Sequence, residues 1–106
     1  MSDIEITPQE VEQMRKSGSD FVLIDVREAW EYKTARIEGS TLIPMRQVPQ
    51  RVSEIPAGKP VVVYCHHGGR SLQVAHWLRQ NGVEARNLTG GIDRWAVEID
   101  SNVPRY

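Results

Sequence analysis

The chain of 106 residues holds a single cysteine, so no disulfide can form within it, and no second thiol is present for a dithiol cycle or a paired-thiol zinc site. Cross-linking is excluded as a source of stability. A lone thiol with nothing to bridge fits a reducing compartment, where its use is chemical more often than structural. An excess of either charge is also lacking: 13 Lys and Arg stand against 14 Asp and Glu, a formal net charge of -1. That balance provides no field to draw in nucleic acid or an acidic membrane, and neither is expected as a partner. No apolar run approaches the length of a membrane span. The opening Met1-Ser2-Asp3-Ile4-Glu5-Ile6 is acidic and lacks the apolar stretch of a secretion signal, so the expected location is the cytoplasm. Repeats, linkers and low-complexity tracts are missing too, and one domain over residues 1–106 is expected. At 40% apolar and 25% charged residues, the chain has the composition of a globular protein that buries a core without staples.

What is present is an alternation of strand-like and helix-like segments. Ile4-Glu5-Ile6 reads as a short strand. Thr7-Pro8-Gln9-Glu10 joins an N-cap threonine, a proline at the first helical position and a glutamate three residues after the cap. Val11 and Met14 give that helix an apolar face, and Gly18 ends it. Phe21 to Val26 is a strand, Glu28 to Ala35 a helix, Leu42-Ile43 a short strand, and Gln47 to Ile55 has helical character despite Pro49. Pro60-Val61-Val62-Val63-Tyr64 reads as a strand buried on both faces, as in a parallel sheet. A helix follows from Ser71 to Arg79, then a strand from Val83 to Leu88 and a helix from Ile92 to Ile99. Asp100 to Tyr106 carries no clear pattern. The order predicts an α/β fold: a mainly parallel sheet of about five strands with helices on both faces.

The chemistry gathers at Cys65-His66-His67-Gly68-Gly69-Arg70-Ser71. The only cysteine directly follows the central strand, where ligands of open α/β sheets bind. Glycines after it allow a tight turn whose N–H groups face inward, and a helix begins behind them. Those amides, the helix dipole and the Arg70 guanidinium are expected to face the Cys65 sulfur and to stabilise a thiolate and an anion attached to it. An inert core cysteine would not account for the flanking glycines and arginine. His66 and His67, with one cysteine and only His76 besides, assemble no metal set, and no metal or cofactor is expected. Their amides line the loop while their side chains tune charge or contact a donor. Ser71 either caps the helix or bonds the thiolate. Asp25, Arg27, Glu28 and Glu31 form a charged group that reads as structural ion pairing, with Asp25 and Arg27 as support for the site. Trp30, Trp77 and Trp95 read as core or rim packing.

Three segments together resemble the rhodanese family of sulfurtransferases over essentially the whole chain. Leu23-Ile24-Asp25-Val26-Arg27-Glu28, with Trp30-Glu31-Tyr32, Ile37-Glu38-Gly39 and Ile43-Pro44, is similar to the family's first signature. Cys65 to Ser71 matches its active-site loop, and Asn87-Leu88-Thr89-Gly90-Gly91-Ile92-Asp93-Arg94-Trp95 its last signature. Ala35-Arg36-Ile37 departs from the family's usual Gly-His-Ile, and Ser40 stands where alanine is common. The resemblance implies that Cys65 takes the sulfane sulfur of thiosulfate or of a persulfide and passes it to a thiophilic acceptor, cyanide in the laboratory assay. It also implies that a protein persulfide or a sulfur-carrier protein serves as partner. Four residues separate Cys65 from Arg70. Phosphatases and arsenate reductases of similar fold have a loop one residue longer, suited to a phosphoryl group, and the short loop favours sulfur. Two other readings stand beside sulfur transfer: a non-catalytic binding or regulatory module, and phosphatase or arsenate reductase chemistry.

Overall fold

Val61-Val62-Val63-Tyr64 is buried at every position, because it occupies the middle of the sheet and is covered on both sides. The computed structural model describes residues 3–106; Met1 and Ser2, the first residues of the acidic opening, lie outside it. Five strands pair in the order β1-β5-β4-β2-β3, all parallel: β1 (Glu5–Ile6), β2 (Val22–Asp25), β3 (Thr41–Leu42), β4 (Val61–Tyr64) and β5 (Ala85–Leu88). The helices are α1 (Pro8–Lys16), α2 (Ala29–Thr34), α3 (Val48–Arg51), α4 (Gly69–Gln80) and α5 (Gly91–Glu98). The expected α/β class with a parallel five-stranded sheet is the observed one.

The period of two along β4 divides the core. Val61 and Val63, continued by Cys65, pack with Ile24, Val48, Val74 and Leu78 on the side of α3 and α4. Val62 and Tyr64 pack with Val11, Leu23, Ile92 and Trp95 on the side of α1 and α5. At about 25 cal/mol per Å² of apolar surface, these two layers supply the main favourable term of folding. Register matters for the site. Asp25 lies opposite Tyr64 and the Val26 N–H donates to the Tyr64 carbonyl at 3.0 Å, so the residues leaving β2 run beside those leaving β4.

Local signals act as read at α1: Thr7 accepts from the Glu10 N–H at 3.1 Å, and Glu10 accepts from the Thr7 N–H at 2.9 Å. Besides shifts of one or two residues at the edges of elements such as β3 and β5, three segments differ from expectation. The stretch around Pro49 is a short α3 flanked by two 3₁₀ turns, Met45–Gln47 and Val52–Glu54, because proline is tolerated only in the first turn of a helix. Helix α4 starts at Gly69, ahead of the expected Ser71, which places Arg70 in its first turn. The segment after α5 returns to the body of the protein, with Val103 and Tyr106 against the α1–α5 layer.

Candidate active site

Cys65 is the first residue beyond β4 and is only 1% exposed. Its sulfur is met from the direction of α4: the Gly68 N–H lies at 3.1 Å, the Ser71 N–H at 3.4 Å and the Ser71 hydroxyl at 3.3 Å. Gly68 is the residue before α4 and has φ +108°, a conformation that side chains disfavour. There it turns its amide back onto the sulfur. Gly69, the first residue of α4, has open space where a Cβ would stand.

Ser71 is inside the helix, so it does not cap it. Its hydroxyl has two acceptors within reach, Cys65 Sγ and Asn87 Oδ1. The Asn87 amide is oriented by its nitrogen, which donates to the Glu5 carboxylate and the Gly68 carbonyl at 3.2 Å each. Asn87 Oδ1 therefore faces Ser71 and can only accept, and the one hydroxyl proton is held there. The resting sulfur is served by two amides.

The outer side of the loop is fixed by α5. Its Ile92 N–H donates to the Cys65 carbonyl at 2.9 Å and its Asp93 N–H to the His66 carbonyl at 3.1 Å. A trans peptide points its N–H opposite its carbonyl, so these bonds turn the His66 and His67 amides away from α5. Gly91 makes the approach possible. A Cβ there would stand 2.4 Å from the His66 carbonyl oxygen and 2.5 Å from that of Cys65, and its φ is +63°.

The Arg70 guanidinium departs from expectation. It is not turned onto the sulfur but pairs with Glu31 in two parallel bonds, Nη1–Oε1 at 2.8 Å and Nη2–Oε2 at 2.9 Å. The reason is geometric: Glu31 sits in the first turn of α2, directly across the mouth of the loop, and a carboxylate matches the guanidinium fork. Glu31 also accepts from the Glu28 N–H at 2.9 Å and from the Tyr106 hydroxyl at 2.7 Å. These bonds, that of Arg70 foremost, bring its pKa down to about 2 despite its burial. The Arg70 pKa is raised, chiefly by Glu31 and in smaller part by Cys65. Behind them lies Arg27, wholly buried, with Nε on Asp25 Oδ1 at 2.9 Å, Nη2 on the Ala35 carbonyl at 2.6 Å and Nη1 on Tyr106 Oη at 2.8 Å. Asp25 and Arg27 are thus a buried ion pair whose remaining donors brace the site.

His66 is stacked between His67, with ring centres 4.0 Å apart, and Tyr106, at 3.9 Å. Burial, followed by His67, lowers the His66 pKa. Among the described residues, one ligand atom each of His66, His67 and Asp93 fall within 4.8 Å of one another, a grouping that the sequence does not suggest because Asp93 comes from α5, far along the chain from the loop. Arg105 already holds both Asp93 oxygens, at 2.9 and 3.2 Å, so the carboxylate is committed to a cation. Sequence reading missed Tyr106, Asn87 and Asp93 as site neighbours. Only Asn87 and Asp93 left a trace, lying in the last signature segment.

This geometry coincides with a family assignment. Residues 7–98 match the rhodanese-like domain, and the chain belongs to that family. A protein of Allochromatium vinosum named sulfurtransferase is 38% identical over 93 residues, covering 87% of each chain. The rhodanese-like/PpiC domain-containing protein 12, chloroplastic, of Arabidopsis thaliana is 39% identical over 89 residues, which are 79% of this chain. That match spans only 30% of the Arabidopsis protein. In three dimensions the chain is similar to the crystal structure of SSP1007 from Staphylococcus saprophyticus, with a TM-score of 0.84, 31% identity and coverage of 94% and 97% of the two chains.

Proposed function

We infer that the protein is a sulfurtransferase that carries sulfane sulfur as a persulfide on Cys65. The observation that carries this reading is the convergence of the Gly68 and Ser71 amides on the Cys65 sulfur at the start of α4. Fixed N–H dipoles at a helix N-terminus stabilise negative charge without reorganising. The relatives named sulfurtransferase and the short loop support the same reading.

With thiosulfate as donor, the Cys65 thiolate attacks the outer sulfur. The S–S bond of thiosulfate breaks, sulfite leaves with the bonding pair, and the enzyme holds Cys65–S–S⁻. An acceptor such as cyanide then attacks the terminal sulfur, leaves as thiocyanate and restores the thiolate. Two half-reactions through one covalent intermediate give ping-pong kinetics. A donor persulfide or a sulfur-carrier protein fills the same roles in the cytoplasm. No helix among the described residues is long and apolar enough to cross a membrane.

Intact-protein mass spectrometry after thiosulfate treatment tests the reading. One added sulfur atom, removed by cyanide and absent in Cys65→Ser, is expected. Absence of the adduct with thiosulfate and with persulfide donors overturns it. Hydrolysis of a phosphate ester lost in Cys65→Ser would place the chemistry with phosphate instead.

A further inference from the structure

The segment after α5 reaches the mouth of the Cys65 loop at Tyr106, and its contacts there are specific. Tyr106 Oη lies 2.8 Å from Arg27 Nη1 and 2.7 Å from Glu31 Oε2. Its ring lies on His66 at 3.9 Å and 7° from parallel, and meets Trp30 edge-on at 5.9 Å. The direction of the phenol proton follows from its neighbours. Arg27 can only donate, and Glu31, with its lowered pKa, is an ionised acceptor. Tyr106 therefore accepts from Arg27 and donates to Glu31. Arg27 is held by Asp25 and the Ala35 carbonyl and has no exposed surface. A chain of bonds runs from the buried Asp25–Arg27 pair through Tyr106 and Glu31 to Arg70.

A guanidinium at a site mouth binds an anion well only if it is already ordered, since a free side chain loses rotamer entropy on binding. The Arg70 side chain is 37% exposed and depends on Glu31 for its order. Glu31 takes one N–H from each terminal nitrogen, and the remaining donors of the fork stay available to an incoming anion. Glu31 holds Arg70 only as firmly as it is held itself. Besides Arg70, its donors are the Glu28 N–H and the Tyr106 hydroxyl.

We propose that Tyr106 is a positioning residue for anionic sulfur donors, its hydroxyl locking Glu31, and through Glu31 the Arg70 guanidinium, at the mouth of the Cys65 loop. As to the identity of the donor, this rests on the sulfur-transfer reading. The positioning is measurable without turnover.

The test compares alkylation of Cys65, the only thiol, by iodoacetate and by iodoacetamide in the wild type and in Tyr106→Phe. Both reagents lose iodide to the thiolate and differ in charge, so the rate ratio reports reception of an anion and cancels thiolate availability. Tyr106→Phe keeps the ring on His66 and removes one hydrogen bond. It should lower the iodoacetate-to-iodoacetamide ratio about three- to tenfold, with the iodoacetamide rate little changed. In a Glu31→Gln background the same substitution should change the ratio no further. An unchanged ratio, a parallel change in both rates, or an equal effect in the Glu31→Gln background overturns the proposal. NMR relaxation of the Arg70 Nε–Hε in the wild type gives a second measurement that needs no variant: an order parameter near the rigid value of about 0.85 is expected, and one below about 0.6 overturns it. With thiosulfate, KM should rise while kcat holds. If wild-type Cys65 takes no sulfur at all, the sulfur-transfer reading fails, and the alkylation ratio still judges Tyr106.

Discussion

Arg70 and Glu31 meet in a two-pronged ion pair, at 2.8 and 2.9 Å, across the mouth of the loop that holds Cys65. The arginine closing the loop is thereby neutralised in the resting protein, and the field on the sulfur comes chiefly from main-chain dipoles. On the reading proposed above, Arg70 meets an incoming anion with the donors that Glu31 leaves free. Arg70→Lys keeps the charge but loses the fork. Sulfur loading of Cys65 from thiosulfate should fall about tenfold, the loss of one charge-assisted bond, while circular dichroism reports a folded domain. Undiminished loading at subsaturating thiosulfate would show the fork to be dispensable.

The same pair sets an acid limit to stability. The folded pKa of Glu31 is about 2, well below its ordinary value, and its side chain is 5% exposed. A depressed carboxyl pKa contributes stability that is complete above the unfolded pKa, about 4.5, and is lost as pH falls toward 2. The full shift corresponds to about 3 kcal/mol at most. Urea denaturation across pH 2 to 7 should show this decline in the wild type and a flatter profile in Glu31→Gln. Parallel profiles would remove Glu31 from the account.

Most of the architecture is legible in the chain because local chemistry and tertiary packing agree: the capping box at Thr7, the apolar run into Cys65 and the glycines after it each act where they stand. The Arg70–Glu31 pair joins residues 39 positions apart, and Tyr106 reaches Arg27 over 79. No periodicity encodes such meetings. The first follows from strand register, which sets the end of β2 beside the end of β4, and the second from the return of the segment after α5 to the body of the protein. Ser71 reads in the sequence equally as a cap or as a partner of the thiolate, and only the start of the helix two residues earlier, at Gly69, removes the first reading. Ser40, unusual at its place in the first signature, acquires a meaning only in the fold, where it bonds the buried Tyr64 hydroxyl at 2.9 Å and the Ile37 carbonyl at 2.7 Å.

Arg27 is among the largest fully buried side chains of the described residues, and its pair with Asp25 has no exposure on either partner. Removing one member of such a pair leaves an uncompensated charge in the core, at a cost of about 3–5 kcal/mol. Asp25→Ala should therefore destabilise the domain far more than any exchange at the exposed Arg46–Glu28 pair. Chemical denaturation of both variants checks it, and equal midpoints would refute it.

Gly91 belongs to the site although it touches no sulfur. Added at this position, a methyl group would collide with two carbonyl oxygens of main chain, neither of which can swing aside as a flexible side chain could. Its positive φ adds strain of about 1 kcal/mol or more for any other residue. Gly91→Ala should push the Cys65–His66 peptide off α5, lower stability by at least about 2 kcal/mol and abolish sulfur loading. Gly58→Ala, where a Cβ meets open space, serves as the control. Normal loading by Gly91→Ala would mean that the loop does not depend on its anchorage to α5.

Ser71 separates two accounts of how the sulfur is stabilised. If its proton stays on Asn87 Oδ1, Ser71→Ala leaves both amides on Cys65 and strands a buried acceptor, whose desolvation costs about 1–3 kcal/mol. Stability should drop while sulfur loading slows less than about tenfold, one ordinary hydrogen bond or fewer. If instead the hydroxyl turns to the thiolate, the stability loss is shared with the chemistry, and loading collapses beyond that figure. Urea midpoints and loading rates measured on one preparation distinguish the two. The first outcome is expected because Glu5 and the Gly68 carbonyl fix the Asn87 amide and leave its oxygen no donor but Ser71.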